Sequence, residues 1–297
     1  MKVLVTGARG LLGADLLPLL AAEHDIIPVD IEDFDITQAH AVHRALRAVA
    51  PAAVVHCAAY TQVDRAESDT DSAWRVNVLG TANVAAAAAE IDAWLIVIST
   101  DFVFDGRKSD PYREEDPPYP LCHYGATKLM GELMAWERCR QLTILRTAWL
   151  YGHGGPCFPR SILRQACAGN PLRVVNDQCG SPTWARDLSQ AIAAVLRCGA
   201  RGLYHAAGGG GTSWCQFARA ILDLAGYSSL DCAPIGSEDL ALPATRPRQS
   251  RLDTSKLAQV AGFQFRHWRD ALEDFFCCHP QFRTQIMNSA SPAGGSA

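Results

Sequence analysis

The sequence predicts an α/β fold, a doubly wound parallel sheet joined to a smaller C-terminal α/β lobe. Three observations lead to this prediction. Short β-branched runs alternate with longer helical stretches over the first 150 residues, a glycine-rich turn follows the first run, and Gly and Pro cluster more often after residue 150. Apolar strands that alternate with helices are typical of a parallel sheet covered on both faces.

The first lobe is predicted over residues 1–150 and would bind a dinucleotide. Its strands are short apolar runs, and its helices are longer stretches such as the alanine-rich "NVAAAAAE". The predicted strands are 2–6, 26–29, 53–56, 94–98 and 142–147, and the predicted helices are 11–22, 38–49, 70–90 and 124–140.

The second lobe is predicted over residues 151–285 and would bind the substrate, with the chain free to cross back between the lobes. Residues 288–297, "NSASPAGGSA", are small and polar and are predicted to be disordered. The predicted helices of this lobe are 158–168, 184–197, 213–225 and 266–277, and short strands are predicted near 173–175 and 202–206.

Composition excludes several classes of protein. The net charge is −4 with mixed signs along the chain, so no basic stripe indicates a nucleic-acid partner. No apolar run approaches the roughly 20 residues of a membrane span, and the opening "MKVLVTGARG" lacks a signal-peptide core. The 11 cysteines are scattered and form no Cys-x-x-Cys pair, which favours reduced thiols in the cytoplasm and no metal site.

The stretch "VTGARGLLG" places Gly7, Gly10 and Gly13 directly after the first strand and at the start of a helix. A tight turn, a close approach of backbone to a pyrophosphate and a helix N-terminus are what dinucleotide binding requires. Leu11 and Leu12 lie in the same loop, and Asp30 closes the second strand at the distance of a ribose-binding acid. The spacing G-x-x-G-x-x-G is a variant of the usual loop, and the sheet is therefore predicted to be of the Rossmann type.

The cofactor is predicted to be NADPH or NADH, and two residues favour opposite choices. The Asp30 carboxylate would accept from a ribose 2′-hydroxyl and repel a 2′-phosphate, whereas the Arg9 guanidinium could pair with that phosphate. The residues themselves leave both cofactors open. The rest of the predicted cofactor-binding set is Asp35, Ile36, Ala58, Ala59, Tyr60, Asn77 and Ser99, together with Tyr124 and Lys128.

The predicted catalytic residues are Thr100, Tyr124 and Lys128. Tyr124 and Lys128 are four residues apart and share one face of a predicted helix, and Thr100 ends the fourth strand. A tyrosine hydroxyl has an ordinary pKa of about 10, and a neighbouring ammonium is expected to lower it. Such a tyrosine could protonate a developing alkoxide while the threonine hydrogen-bonds the same oxygen. The predicted chemistry is hydride transfer to a ketone.

The sequence resembles the dTDP-4-dehydrorhamnose reductase family, within the extended short-chain dehydrogenases/reductases. The resemblance covers roughly residues 1–277 and rests on six stretches in family order. These are "AAYTQVDRAESD" (58–69), "STDFVFDG" (99–106), "YGATKLMGE" (124–132), "RTAWLYG" (146–152), "VVNDQCGSPT" (174–183) and "RPRQSRLDTSKL" (246–257). It implies NAD(P)H-dependent reduction of the C4 ketone of a nucleotide sugar, dTDP-4-dehydro-6-deoxy-L-mannose, to dTDP-L-rhamnose.

The resemblance also implies roles for individual residues. Tyr124 would donate the proton, Lys128 would tune it and anchor the ribose, and Thr100 would hold the carbonyl. Trp149 would form a wall of the sugar pocket. The other residues implied at the substrate are Asp101, Phe102, Asn176, Asp177, Gln178, Pro182, Thr183, and the arginines Arg246 and Arg251 as partners of the diphosphate.

Two departures from the family pattern alter what is expected. Some members join two chains through a magnesium ion held by glutamates, but this chain has Asp15 at the first such place and Arg186 near a second. We therefore expect no metal-bridged dimer, although a homodimer of another kind stays open. Cys122 and His123 stand before Tyr124 where the family tends to have a smaller polar pair, which bears on local specificity.

Two other functions compete with this prediction. A sibling reductase or epimerase acting on another nucleotide deoxysugar fits the same motifs. The regulatory β-subunit of methionine adenosyltransferase shares the fold and much of "PYREEDPPYPLCHYGATKLMGE" (111–132), and it binds a partner enzyme instead of turning over a sugar. Thr100 and the "RTAW" stretch with Trp149 favour the reductases over this regulatory subunit.

Overall fold

Six parallel strands form the main sheet of the computed structural model, which describes residues 1–280. The predicted disordered segment 288–297 lies outside the described residues. The strand order across the sheet is β2-β1-β3-β4-β5-β10, which confirms the predicted doubly wound α/β fold. The strands are β1 (Lys2–Thr6), β2 (Asp25–Val29), β3 (Ala53–His56), β4 (Trp94–Thr100), β5 (Leu142–Thr147) and β10 (Gly202–His205).

Helices cover both faces of this sheet because its central strands are apolar on both sides. β3 is buried at every position, and so is β5. One face packs against α1 and α7, and the other packs against α2, α4 and α5. These helices are α1 (Gly13–Leu20), α2 (Ala39–Val49), α4 (Thr81–Glu90), α5 (His123–Arg138) and α7 (Ala185–Cys198), and the short helix α3 (Thr70–Trp74) precedes α4.

The smaller lobe consists of short paired strands and helices that continue the core of the first face. Its strands pair in twos, β7 with β12, β8 with β11, and β6 with β9. The elements are β6 (Leu150–Tyr151), α6 (Phe158–Cys167), β7 (Leu172–Val175), β8 (Cys179–Gly180), β9 (Thr183–Trp184), β11 (Thr212–Ser213), α8 (Trp214–Ala225), β12 (Cys232–Ile235), α9 (Ser255–Ala261) and α10 (Trp268–Cys278).

Two predicted elements differ from the observed ones. The strand near 202–206 belongs to the main sheet as β10, paired with β5, so residues expected in the second lobe return to the first. The helix expected over 70–90 is interrupted by a π-helical segment over Arg75–Gly80, which separates α3 from α4. Within residues 1–280, no helix combines the length and the apolar character needed to cross a membrane.

Two buried histidines tie the sheet to its neighbours in their neutral form. The His56 ring lies between the Thr6 and Thr81 hydroxyls, at 2.7 and 3.2 Å, beneath the glycine loop. His205 lies 3.0 Å from the carbonyl oxygen of Tyr112. Burial lowers the pKa of each histidine to about 3, helped by the charge of Lys128 near His56 and of Arg146 near His205.

We expect the protein to lose stability as the pH falls below about 6.5, where the histidines of the unfolded chain begin to bind protons that the folded chain excludes. The free energy of unfolding should fall by up to about 1.4 kcal/mol per pH unit for each histidine, down to their folded pKa. Denaturant unfolding of the wild type and of His205→Gln at several pH values checks this. The variant should show a shallower slope, and the exposed control His40→Gln should not.

Candidate active site

The glycine loop between β1 and α1 lies so close to the rest of the sheet that two of its glycines have no room for a side chain. Gly7 has a φ of +67°, and a Cβ there would lie 2.7 Å from the backbone nitrogen of Ala58 after β3. A Cβ at Gly13 would lie 2.0 Å from the carbonyl oxygen of Ala8. The loop is therefore a cradle in which backbone can approach an anion at a helix N-terminus.

Asp30 and Arg9 are both at the mouth of this cradle but do not pair through their side chains. The Asp30 carboxylate accepts from the backbone amides of Arg9 and Ile31, at 2.8 and 2.9 Å. The Arg9 guanidinium extends to Glu32 at 3.0 Å, and both side chains of that pair are largely exposed. Asp30 thus stabilises the loop, and Arg9 remains free to reorient because its ion pair is exposed.

A cavity of about 1110 Å³ lies above the cradle, along the carboxyl ends of the strands. Gly13, Tyr60 and Asn77 were predicted at the cofactor but do not line this cavity. The Asn77 side chain is buried and bonds to the Tyr60 backbone and the Thr127 hydroxyl. The predicted cofactor-binding residues in its walls are Gly7, Arg9, Gly10, Leu11, Leu12, Asp30, Asp35, Ile36, Ala58, Ala59, Ser99, Tyr124 and Lys128.

The three predicted catalytic residues all line this cavity. Thr100 ends β4, and Tyr124 and Lys128 lie in the first turns of α5. The Thr100 hydroxyl lies close enough to the Tyr124 hydroxyl to act on the pKa of Tyr124. The Tyr124 ring meets Phe102 edge-on, with the centroids 5.5 Å apart. Two hydroxyls therefore converge where a carbonyl oxygen could accept from both.

The pKa of Tyr124 differs from the expectation that a nearby ammonium would lower it. Burial raises this pKa, and Asp101 and Cys122 raise it further, while the Thr100 hydroxyl opposes the rise. The Lys128 ammonium donates to the carbonyl oxygen of Ile98 at 2.8 Å instead. The Tyr124 phenol is consequently protonated at neutral pH, which is the form that a proton donor needs.

Behind Lys128, a buried ion pair joins α5 to the sheet. Glu132, one turn beyond Lys128 on α5, binds Arg146 of β5 through two nitrogens, at 2.9 and 2.6 Å. Both side chains are less than 5% exposed, and the Ser99 hydroxyl of β4 also donates to Glu132. This pair fixes the distance between α5 and the ends of β4 and β5.

The environment of Lys128 makes its ammonium readily titrated. Burial lowers the pKa of Lys128 to about 8, and the nearby Glu132 and Cys57 partly oppose this change. Asp101 is also buried in the cavity wall, where its carboxylate accepts from the Thr100 hydroxyl at 3.1 Å. Burial raises the pKa of Asp101 to about 6, while the neighbouring hydroxyls of Ser250 and Thr100 partly offset the rise.

A second cavity of about 520 Å³ lies between β7, α6 and the segment 240–250. It meets the first cavity at a neck that we define by the residues lining both, which are Phe102, Trp149, Trp214 and Arg246. Its own walls are mostly apolar, with Leu172 and Val174 of β7 and Phe158 of α6, and Gln178 adds an amide. A long ligand could therefore pass from the Tyr124 hydroxyl through the neck into an apolar chamber.

Arg246 is the cation of the neck, and Asp64 holds it there. The carboxylate of Asp64 accepts from both terminal nitrogens of Arg246, at 2.9 and 2.7 Å, and from the backbone amide of Ala244. These bonds, led by that of Arg246, lower the pKa of Asp64. Within residues 1–280, the Nε–H of Arg246 has no acceptor, so it can donate to a ligand.

Other residues implied at the substrate do not line either cavity. Asn176 accepts from the Ser213 hydroxyl at 2.6 Å, and Asp177 accepts from Ser237. Arg251 donates to Gln249 and to the carbonyl oxygen of Ser109. Pro182 and the buried Thr183, which bonds to Ser181 and Gly208, also lie outside both linings.

The neck residue Trp214, and Asp64, which binds the neck residue Arg246, had no role assigned from the sequence. Asp64 lies inside "AAYTQVDRAESD" but is 182 residues from its partner Arg246. Trp214 follows Ser213, whose side chain caps α8 together with Gln216 in a capping box. The cap predicts a helix start but carries no sign that the next aromatic residue lies beside Trp149.

Asp15 lies in a small polar corner with His153 and His279, whose ligand atoms are all within 4.8 Å of one another. The two imidazoles stack with centroids 4.5 Å apart. Arg186 brings positive charge to the same corner, where it acts on the pKa of both Asp15 and His279. The absence of a metal-bridged dimer stays a prediction.

The parallel sheet, the glycine cradle and the Thr–Tyr–Lys set define an extended short-chain dehydrogenase/reductase. The profile of the RmlD substrate binding domain matches residues 1–278. The chain therefore belongs to the RmlD family.

Comparison with individual proteins supports this membership. A dTDP-4-dehydrorhamnose reductase from Streptomyces griseus is 41% identical, with 92% of each chain covered. A dTDP-4-keto-6-deoxy-D-glucose reductase from Streptomyces niveus is 36% identical over 92% of this chain and 96% of its own. The structure of a Bacillus anthracis dTDP-4-dehydrorhamnose reductase in complex with NADP superposes with a TM-score of 0.88 at 36% identity, covering 93% of this chain and 98% of that one.

We expect reduction to slow as the pH rises through about 8, because Lys128 loses its charge there. Above this pH, kcat/KM should fall about tenfold per pH unit, as for a single essential acid. Lys128→Arg keeps its charge at every accessible pH, so any activity it retains should not show this fall. A wild-type profile that stays flat well above pH 8 would contradict the expectation.

Proposed function

We propose that the protein reduces the C4 ketone of dTDP-4-dehydro-6-deoxy-L-mannose to give dTDP-L-rhamnose, with NADPH or NADH as the reductant. The observation that carries the proposal is the pair of neighbouring hydroxyls from Thr100 and Tyr124 in the same cavity as Lys128, adjacent to a second chamber that shares Arg246 in its wall. If the ketone oxygen of the sugar bonds to those hydroxyls, the diphosphate and the nucleoside of the same substrate would lie along the neck and in the second chamber.

The cradle and the first cavity fit a nicotinamide dinucleotide. Gly7 has the positive φ of a tight turn and Gly13 packs closely on the Ala8 carbonyl, as expected for the first and third glycines of a dinucleotide loop, and Gly10 holds the position at which a pyrophosphate would approach the backbone. When bound, the cofactor supplies the hydride. The Lys128 ammonium and the walls at Asp35 and Ile36 would hold its ribose and adenine. The relative from Bacillus anthracis was solved with NADP, which supports this assignment.

Thr100 and Tyr124 would hold the ketone oxygen and neutralise it as it becomes an alkoxide. The Thr100 oxygen accepts from the amide of Phe102 at 3.2 Å, and its proton, which is donated to Asp101 in this structure, would turn to the ketone oxygen when the substrate binds. The Tyr124 phenol is protonated because burial raises its pKa, so it can deliver its proton to the oxygen. Lys128 would stabilise the phenolate that remains, since a positive charge nearby favours the ionised form.

Arg246 would bind the diphosphate, and the second chamber would bind the nucleoside. A guanidinium donates well to phosphate, and the Nε–H of Arg246 is free to do so at the neck. The chamber beyond has apolar walls from Leu172, Val174 and Phe158, which suit the face of a base.

A second candidate function is the reduction of another dTDP-linked 4-keto-6-deoxyhexose. The relative from Streptomyces niveus, named for such a sugar, is 36% identical over nearly the same share of the chain. The catalytic hydroxyls serve any C4 ketone equally well, because they contact only the oxygen. The configuration of the hexose is therefore what distinguishes the two candidates.

The assay that tests the proposal follows nicotinamide absorbance with two sugars and both cofactors, and identifies the product by NMR. One sugar is dTDP-4-dehydro-L-rhamnose generated in situ, and the other is the unepimerised dTDP-4-keto-6-deoxy-D-glucose. Turnover of the first to dTDP-L-rhamnose supports the proposal, and turnover of the second alone supports the other candidate. Cofactor binding without turnover of either sugar would contradict both and favour a regulatory subunit.

Tyr124→Phe removes the proton donor and should lower kcat by about 100- to 10,000-fold. Cofactor affinity, measured by fluorescence titration, should stay close to that of the wild type because the ring is kept. Tyr119→Phe is a matched control, since Tyr119 is 64% exposed and away from both cavities. Near-wild-type turnover by Tyr124→Phe would remove Tyr124 from this role.

Arg246→Gln should raise the KM for the nucleotide sugar by about tenfold to a hundredfold, the loss expected for charged hydrogen bonds. The KM for the cofactor should change little, because Arg246 lies at the neck and not at the cradle. Steady-state kinetics with Arg248→Gln, an exposed arginine outside both cavities, provide the control. An unchanged KM for the sugar in Arg246→Gln would show that the diphosphate binds elsewhere.

A further inference from the structure

The indole of Trp149 is held between two surfaces at the neck. On one side is Gly180 of β8, where a Cβ would lie 2.3 Å from Cε2 of the indole. On the other side the ring of Trp214 lies parallel to it, with an interplanar angle of 5° and a centroid separation of 3.4 Å. Neither neighbour leaves Trp149 room to shift along its ring normal.

The conformation of Trp149 is one that its surroundings must impose. Its φ is +46°, in the left-handed region, which a bulky residue seldom adopts unless its neighbours leave no alternative. A face-to-face pair of aromatic rings is also less favourable than an offset or edge-on pair. Two unfavourable geometries at one residue indicate that contacts with the surrounding residues, and not the conformational preference of Trp149 itself, determine where this indole lies.

Trp214 is itself firmly supported. It is the first residue of α8 and lies within the Ser213–Gln216 capping box. Its ring also packs on Phe158 of α6, with the centroids 4.5 Å apart. The position of Trp149 therefore depends on an aromatic residue fixed to a helix end, 65 residues further along the chain.

We propose that Trp214 is a positioning residue for the reaction: it holds the Trp149 indole at the neck and thereby sets where the hexose lies relative to Thr100 and Tyr124. This role rests on the proposed function, since it assumes a sugar between the neck and the catalytic hydroxyls. Both indoles line both cavities, so a hexose in the first and a nucleotide in the second would pass beside the pair.

The expected effect falls on kcat more than on KM. If the Trp149 indole can move, the ketone of the hexose can leave the position in which its carbon faces the hydride donor and its oxygen faces the Tyr124 hydroxyl. Small misplacements of reacting atoms cost one to two orders of magnitude in rate. A residue that merely added contact area would instead raise KM and leave kcat unchanged.

The first experiment detects the pair without any substrate. Two stacked indoles couple their electronic transitions, and a rotation of one indole relative to the other about the stacking axis gives an exciton couplet in far-ultraviolet circular dichroism. Trp149→Phe and Trp214→Phe should each abolish the same couplet, whereas Trp74→Phe should keep it, because Trp74 is an exposed residue of α3. A couplet unaffected by either neck variant would overturn the proposal, whatever the substrate proves to be.

The second experiment compares steady-state kinetics. Trp214→Ala should lower kcat about tenfold to a hundredfold, with cofactor affinity and the unfolding midpoint checked in parallel, and Trp214→Phe should restore most of it by retaining a stacked ring. Gly180→Ala should also lower kcat by displacing Trp149 from the opposite face while Trp214 stays intact. A kcat within twofold of wild type in both alanine variants, or a change in KM alone, would overturn the proposal.

Absence of turnover in the wild type would instead overturn the proposed function and leave the couplet as the measure of the pair.

Discussion

The buried pair of Glu132 and Arg146 is the interaction on which the site depends. It joins α5, which carries Tyr124 and Lys128, to β5 and, through Ser99, to β4, which ends at Thr100. A buried ion pair contributes little net stability, but losing one partner is costly because the other charge is left alone. Its effect here is geometric, because the helix and the strand ends cannot shift against each other without breaking it.

The π-helical segment between α3 and α4 is a second constraint on the same helix. A Cβ at Gly131 of α5 would lie 2.4 Å from the carbonyl oxygen of Asn77, so the two helices touch through their backbones. The Asn77 amide meanwhile bonds to Thr127 of α5 and to the backbone of Tyr60. The wider turn of the π-helix places the Asn77 side chain where it joins α5 to the loop after β3. Such segments often occur at functional sites.

Much of the first lobe could be predicted because its signals are local. Strands such as β3 and β5 are buried throughout and contain mostly apolar residues, and the glycine cradle follows β1 directly. Tyr124 and Lys128 share a helix face by spacing alone. The position of β10 could not be predicted, because a short strand gives no sign of which sheet it joins.

The neck shows why the substrate side was harder to predict than the cofactor side. Its contacts join distant parts of the chain, Asp64 with Arg246 and Trp149 with Trp214, and no periodicity links such positions. Asn176 and Arg251 lie in the motifs that carry the family resemblance, yet their side chains support loops and face neither cavity. The pKa of Tyr124 was expected to be lowered by Lys128, but burial raises it, and the Lys128 ammonium bonds to the carbonyl oxygen of Ile98 instead.

The return of the chain to the main sheet at β10 has a mechanical consequence. Two lobes joined by a single linker can swing apart on it, but here the chain enters the smaller lobe after β5, leaves it for α7 and β10, and enters it again for β11 and α8. Each crossing is a covalent tether, and several tethers at different points resist rotation about any one axis. Access to the neck would then not depend on separation of the lobes.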